Sequence, residues 1–225
     1  MKIITKLGIA LFIIAGLIAF FAAYKPAITG YASAGTTLYV LGGLYDYNCN
    51  TTMQNGWNLI SIPCESENTT VPYVLQTING KYESVHGYDR NDLNDPWKSY
   101  KPGLPAWVEQ DLTNITTLKG YWININRTSS INISGYVRVP GVIQLAPGWE
   151  LVGYPTNVTK TPESAFAAIN SSISSVHAYN ATDYSDYWKV YVNTVNSSFN
   201  DLNLIVPYWG YWINVTSSAV WVITQ

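Results

Sequence analysis

Apolar and polar positions alternate in short runs along most of this chain, and the runs come in two sets. "GWNLISIP" at 56–63 is answered by "GWELVGYP" at 148–155, and "VHGYD" at 85–89 by "VHAYN" at 176–180. "DPWKSY" at 95–100 is answered by "DYWKVY" at 186–191, and "GYWIN" at 120–124 by "GYWIN" at 210–214. The offsets of 92, 91, 91 and 90 leave room only for one- or two-residue gaps, so the chain carries a duplicated module. In each copy the Gly-Trp run is apolar or β-branched and is stopped by Pro63 or Pro155, which predicts a strand. "TVPYVLQTI" at 70–78 and "TPESAFAAI" at 161–169 set Thr and Pro ahead of apolar residues at helical spacing, which predicts a Thr-capped helix. Strands are predicted around Val85–Tyr88 and Trp97–Tyr100, then a short helix or loop near Leu112–Leu118, then a strand through "YWINI". A last strand falls at "INISGYV" in copy one and "AVWVIT" in copy two. "TTLYVLGGLY" at 36–45 precedes the first copy as "SGYVRVPGVIQL" precedes the second, each as an edge strand running into the Gly-Trp strand, and the strand at 36–45 is open to pairing with a neighbouring subunit.

No long helical crossover interrupts this order, so each module is expected to be a small, mostly antiparallel barrel or sandwich with a helix over one end. Ahead of the modules, residues 7–24 carry no charge and reach about 27 Å as a helix, close to the thickness of a bilayer core. Lys2 and Lys6 precede them, which places the N-terminus inside and the modules outside the cell. The expected fold class is therefore mainly β with short helices. An N-terminal transmembrane signal anchor and stalk occupies 1–30, β-module 1 occupies 36–140 and β-module 2 occupies 141–225. A cleaved signal peptide is the alternative, with "ASA" at 32–34 as its processing site, although that site lies far from the apolar run. A pilin-type precursor cut after Gly8 is a third reading; Leu7, the lack of an early Glu and Pro26 all depart from that pattern.

Composition sharpens this picture. Only 12% of residues are charged and the net charge is −2, with no Lys/Arg cluster, so the chain lacks the electrostatic footprint of nucleic-acid binding. Ten Asn-x-Ser/Thr triplets begin at Asn50, Asn68, Asn114, Asn126, Asn132, Asn157, Asn170, Asn180, Asn196 and Asn214, all on the expected outer side, and predict N-linked glycans. Cys49 and Cys64 are the only cysteines and flank the first Gly-Trp run, which in an exported chain reads as a disulfide.

The framing by Gly56, Trp57, Asn58, Leu59, Pro63, Gly120, Tyr121 and Trp122, with their partners in copy two, resembles the repeat modules of roughly ninety residues found in archaeal, and some bacterial, cell-surface and exported proteins. The resemblance spans about residues 56–225 and implies adhesive or architectural β-domains with no catalytic residue attached to the motif. Copy two departs from it at Glu150, where copy one has Asn58.

Candidate chemistry is sparse. His86 and His177 occupy equivalent places and are read as duplicated packing. Asp89, Asp92 and Asp95, with Asp183 and Asp186 in copy two, fail the ligand alternation of a Ca²⁺ loop and are read as a turn capped by Asp and Asn side chains. Trp57, Trp122, Trp149 and Trp212 are read as core aromatics of the repeat motif, with Tyr208 and Trp209 as the more exposed pair. No G-x-S-x-G, H-E-x-x-H, P-loop or dinucleotide fingerprint is present, and no enzymatic role or cofactor is expected. The expected function is that of a non-enzymatic, membrane-anchored surface glycoprotein with a structural or adhesive role. Its expected partners are the membrane, other surface proteins or copies of itself. The alternatives are a subunit of an extracellular filament or surface layer, a carbohydrate-binding ectodomain, and an accessory subunit of a membrane complex.

Overall fold

A computed structural model describes residues 43–105, 107–193 and 200–225. The apolar segment 7–24, most of the expected strand 36–45 and the Asn196 triplet lie outside the described residues. Among the described residues no helix is long and apolar enough to cross a membrane.

Twelve strands are described, six in each copy. Copy one contributes β1 (Gly43–Met53), β2 (Gly56–Ile60), β3 (Tyr82–Tyr88), β4 (Trp97–Tyr100), β5 (Tyr121–Ile125) and β6 (Ser129–Val139). Copy two contributes β7 (Gly141–Leu145), β8 (Gly148–Val152), β9 (Ile173–Tyr179), β10 (Trp188–Val192), β11 (Tyr211–Val215) and β12 (Ala219–Ile223). Each copy forms a four-stranded sheet, β2-β5-β3-β4 or β8-β11-β9-β10, and a two-stranded sheet, β1-β6 or β7-β12. The protein is thus mainly β with two similar pairs of sheets. The first strand starts by Gly43 and runs on through Cys49 to Met53, beyond the expected end at residue 45. Its Cys49 bonds to Cys64.

Side-chain alternation decides which face of each strand is buried. In β5, Tyr121, Ile123 and Ile125 point into the first core while Trp122 and Asn124 face the other way. In β11 the same division separates Tyr211, Ile213 and Val215 from Trp212 and Asn214. Each core also takes residues from the two-stranded sheet, such as Ile131 and Ile133 in β6 or Trp221 in β12, and from the helical stretch. The helices are shorter than the spacing predicts: α1 (Val71–Val74) and α2 (Pro162–Ala165) are single turns, each followed by a 3-10 turn. Thr161 accepts a hydrogen bond from the Ser164 amide at 3.4 Å, whereas Thr70 caps α1 only by its extended backbone. Residues 112–118 form a non-helical connection whose Thr116 amide donates to the buried Tyr121 hydroxyl at 2.8 Å; Val206 and Tyr211 repeat this contact at 2.7 Å.

Residues Tyr45–Gln225 form one compact unit, and the two copies meet inside it reciprocally. Ile60 at the end of β2 bridges to Trp209, and its equivalent Val152 at the end of β8 bridges to Lys119. The Ser61 amide donates to the Tyr208 carbonyl at 2.8 Å, and the Gly153 amide to the Leu118 carbonyl at 2.9 Å. Contacts that exchange equivalent partners are the signature of a two-fold axis, here a pseudo-two-fold within one chain. The glycine of each "GYWIN" lies on this junction because nothing larger fits. A Cβ on Gly210 would stand 2.8 Å from the Ile60 carbonyl oxygen and 3.1 Å from Leu59 Cδ1. One on Gly120 would stand 2.8 Å from the Val152 carbonyl oxygen and 2.9 Å from Leu151 Cδ1. Leu59 and Leu151 are buried here, on the face of the sheet opposite their own module's core.

The replacement of Asn58 by Glu150 has a structural cause. Asn58 is buried and clamps the β1–β2 turn, accepting from the Gln54 amide at 2.9 Å and donating to the carbonyls of Gln54 at 2.8 Å and Gly56 at 3.0 Å. At the β7–β8 turn, Arg90 of the other copy takes over by donating to the carbonyls of Ala146 and Pro147, and Glu150 holds the guanidinium at 3.0 Å.

Candidate functional site: a duplicated aromatic face

The outer faces of the two four-stranded sheets carry the site. In copy one, the register sets Trp57 opposite Asn124, His86 opposite Trp122 and Tyr88 opposite Trp97, so these side chains share one face. In copy two, Trp149 faces Asn214, His177 faces Trp212 and Tyr179 faces Trp188. Trp57, Trp97, Trp149 and Trp188 are 44%, 45%, 42% and 43% exposed, the same degree in all four. The reading of Trp57 and Trp149 as core is therefore corrected, and Trp122 and Trp212 are half-buried beside them. Both faces of β2 and β8 carry apolar residues, one for the core and one for the junction and this face, so periodicity alone does not say which tryptophans are covered.

The rings interlock across the pseudo-two-fold. Trp122 meets Tyr179 at 5.1 Å and Trp188 at 5.8 Å, both edge to face, and Trp212 meets Tyr88 at 5.1 Å and Trp97 at 5.8 Å. Trp57 and Trp149 stand nearly perpendicular to Trp122 and Trp212, each at 6.3 Å. Such pairs contribute about 0.5–1.5 kcal/mol beyond their buried area, so the rings also fasten the modules together. Two equivalent pockets result. One, of about 420 Å³, is lined by Trp57, His86, Trp97, Trp122 and Tyr179. The other, of about 600 Å³, is lined by Trp149, His177, Trp188, Trp212 and Tyr88. Each takes four rings from its own copy and a tyrosine from the other.

The histidines belong to these walls. His86 lies 5.6 Å from Trp57 and its Nε2 is 3.0 Å from Ser84 Oγ; His177 lies 5.2 Å from Trp149 and its Nε2 is 3.1 Å from Ser175 Oγ. Burial pushes both imidazoles below their ordinary pKa, with Asp111 and Asp201 pulling weakly the other way, so both are neutral at pH 7. In each acidic loop two of the aspartates, with a third from farther along the chain, surround a lysine, while Asp89 pairs with Lys119 at 3.9 Å. Lys98 Nζ lies 2.6 Å from Asp92 and 3.8 Å from both Asp95 and Asp111, and Lys189 Nζ lies 2.9, 3.1 and 3.8 Å from Asp183, Asp186 and Asp201. Asp89, Asp92 and Asp183 also accept from backbone amides two residues on, as capped turns require.

Tyr208 and Trp209 are half-buried at the junction, less open than the four outer tryptophans, which corrects their reading as the exposed pair. Tyr208 adopts a φ of 69°, and its carbonyl and that of Trp209 receive the Ser61 amide and hydroxyl. Among the acceptor asparagines, Asn50, Asn68, Asn114, Asn126, Asn132 and Asn157 are exposed, while Asn170, Asn180 and Asn214 are half-buried. A further cavity of about 520 Å³ lies near Tyr47, Tyr73 and Tyr136. No family model matches the chain, and no curated protein or solved structure does.

Proposed function

We propose that the chain is a non-enzymatic, membrane-anchored extracellular glycoprotein whose two modules act together as one adhesive unit, with the duplicated aromatic face as its contact surface. The observation that carries this reading is the set of four tryptophans half-exposed on the outer faces of the two four-stranded sheets. Apolar surface of that kind is retained at a cost in solubility, and it marks contact sites. The Cys49–Cys64 bond and the exposed acceptor asparagines support an oxidising, external location for the modules. The shared core clusters support reading each module as a small β-sandwich whose two sheets face each other.

Proteoliposomes carrying the full-length protein test this reading. They are expected to adhere to cell envelopes of the producing organism, and Trp57→Ala with Trp149→Ala is expected to abolish adhesion while the variant still unfolds in one cooperative transition at a lower temperature. Adhesion that survives the double substitution refutes the aromatic face as the contact surface. Filaments of the purified protein in electron micrographs would replace adhesion with assembly.

A further inference from the structure

Resting on the adhesive reading, we propose that each of the two pockets binds a neutral hexopyranose unit, and that the pair, related by the pseudo-two-fold, holds two separate glycan chains. A pyranose ring offers an apolar C–H face and a rim of uncharged hydroxyls. Each pocket supplies the complement to both: half-exposed Trp faces at right angles to a neighbouring ring, and an uncharged imidazole on its wall, His86 or His177, that is hydrogen-bonded to Ser84 or Ser175 behind it.

Charge complementarity selects this ligand over others with flat or apolar faces. Asp111 and Asp201, the carboxylates that act on the two histidines, already face the Lys98 and Lys189 ammoniums at 3.8 Å, so neither pocket offers a free anion to a cationic ligand. Glu83, which accepts from Asn124 at 3.2 Å, is matched by Ser174 in copy two and is not part of the repeated arrangement. Among the described residues no Lys or Arg lines either pocket to meet a phosphate, which sets nucleotides aside.

The symmetry fixes the valency. A glycan chain has a reducing and a non-reducing end, so one chain laid across both pockets would meet the second in reversed polarity. Two pockets related by a two-fold axis are instead equivalent toward two chains of opposite sense, and one molecule then bridges them.

The test is calorimetric titration of the full-length protein in detergent with neutral hexasaccharides built from glucose, mannose, galactose or N-acetylglucosamine, with tetramethylammonium as the cationic comparison. At least one hexasaccharide is expected to bind at two equivalents per chain. Trp57→Ala and Trp149→Ala are each expected to weaken one site by at least about tenfold and leave the other unchanged, and the double variant to lose both. Trp57→Phe, which keeps an aromatic face, is expected to restore the second equivalent. Wild type should precipitate a soluble branched polysaccharide of the bound sugar, and the single Ala variants should bind it without precipitation. One equivalent per chain, binding that survives the double substitution, a preference for tetramethylammonium or no binding across the panel would each overturn the proposal. Envelope adhesion that persists without saccharide binding overturns the ligand class alone, whereas loss of both removes the adhesive reading as well.

Discussion

Alanine at Gly120 or Gly210 is the sharpest probe of how the copies are joined. At Gly210 the added methyl would lie 2.8 Å from the Ile60 carbonyl oxygen, about 0.6 Å inside ordinary contact at 3.4 Å. The obstacle is backbone, so the strand itself has to withdraw, and it carries the Gly210–Leu59 and Ser61–Tyr208 hydrogen bonds of 3.2 and 2.8 Å. Overpacking of this kind costs about 1–3 kcal/mol, and weakening two buried backbone bonds adds about 1 kcal/mol. A loss of roughly 3 kcal/mol corresponds to a fall in Tm of about 6–12 °C for a unit of this size. Gly120→Ala should cost nearly the same, because Val152 and Leu151 stand where Ile60 and Leu59 do. Gly103→Ala is the comparison: no atom lies within 4 Å of its Cβ, so only the φ of +77° opposes it, at about 1–2 kcal/mol. Differential scanning calorimetry on the three variants reads the outcome. Junction variants that melt within 2 °C of wild type, or a large loss at one glycine and none at the other, would refute the reciprocal junction.

Other perturbations follow from particular side chains. Trp221→Ala should destabilise by about 3–5 kcal/mol, seen as a lower denaturation midpoint, because this ring is 1% exposed between Tyr154 and Phe166 and donates to the Ala165 carbonyl at 2.8 Å. Tyr154→Phe should be neutral or stabilise by about 1 kcal/mol in the same assay, since the Tyr154 hydroxyl is buried without a partner among the described residues. Reducing the Cys49–Cys64 bond, which closes a loop with a sequence separation of 15, should lower the midpoint by about 3 kcal/mol. His86 and His177 bind fewer protons folded than unfolded, so stability should fall as pH drops below 6.5; replacing both with Gln should flatten that part of the profile.

Much of this fold is legible in the sequence because its signals are local. Thr70-Val71-Pro72 and Thr161-Pro162 mark α1 and α2, Pro63 and Pro155 end the Gly-Trp runs, and the alternation in "YWINI" already pairs Trp122 with the polar Asn124 against Tyr121, Ile123 and Ile125. That pairing is the signal by which the outer face could have been found. It was masked in "WNLI", where Leu59 is buried by the other copy and Asn58 by its own turn, so that apolar and buried cease to mean the same side. The role of Arg90 at a turn in the opposite module was not legible, since it depends on a long-range contact that no spacing reveals.

The reciprocal junction makes this chain equivalent to a homodimer fused into a single polypeptide, with β6 running through Pro140 directly into β7. Fusion makes the assembly independent of dilution, because the second half is always present at high effective concentration. It also frees the halves to diverge, which a true dimer of identical subunits cannot do. Arg90 faces Glu150 with only Ala181 at its own mirror position, and Asn214 heads an acceptor triplet where Asn124 does not. The two halves thus differ at positions outside the residues that line the two pockets.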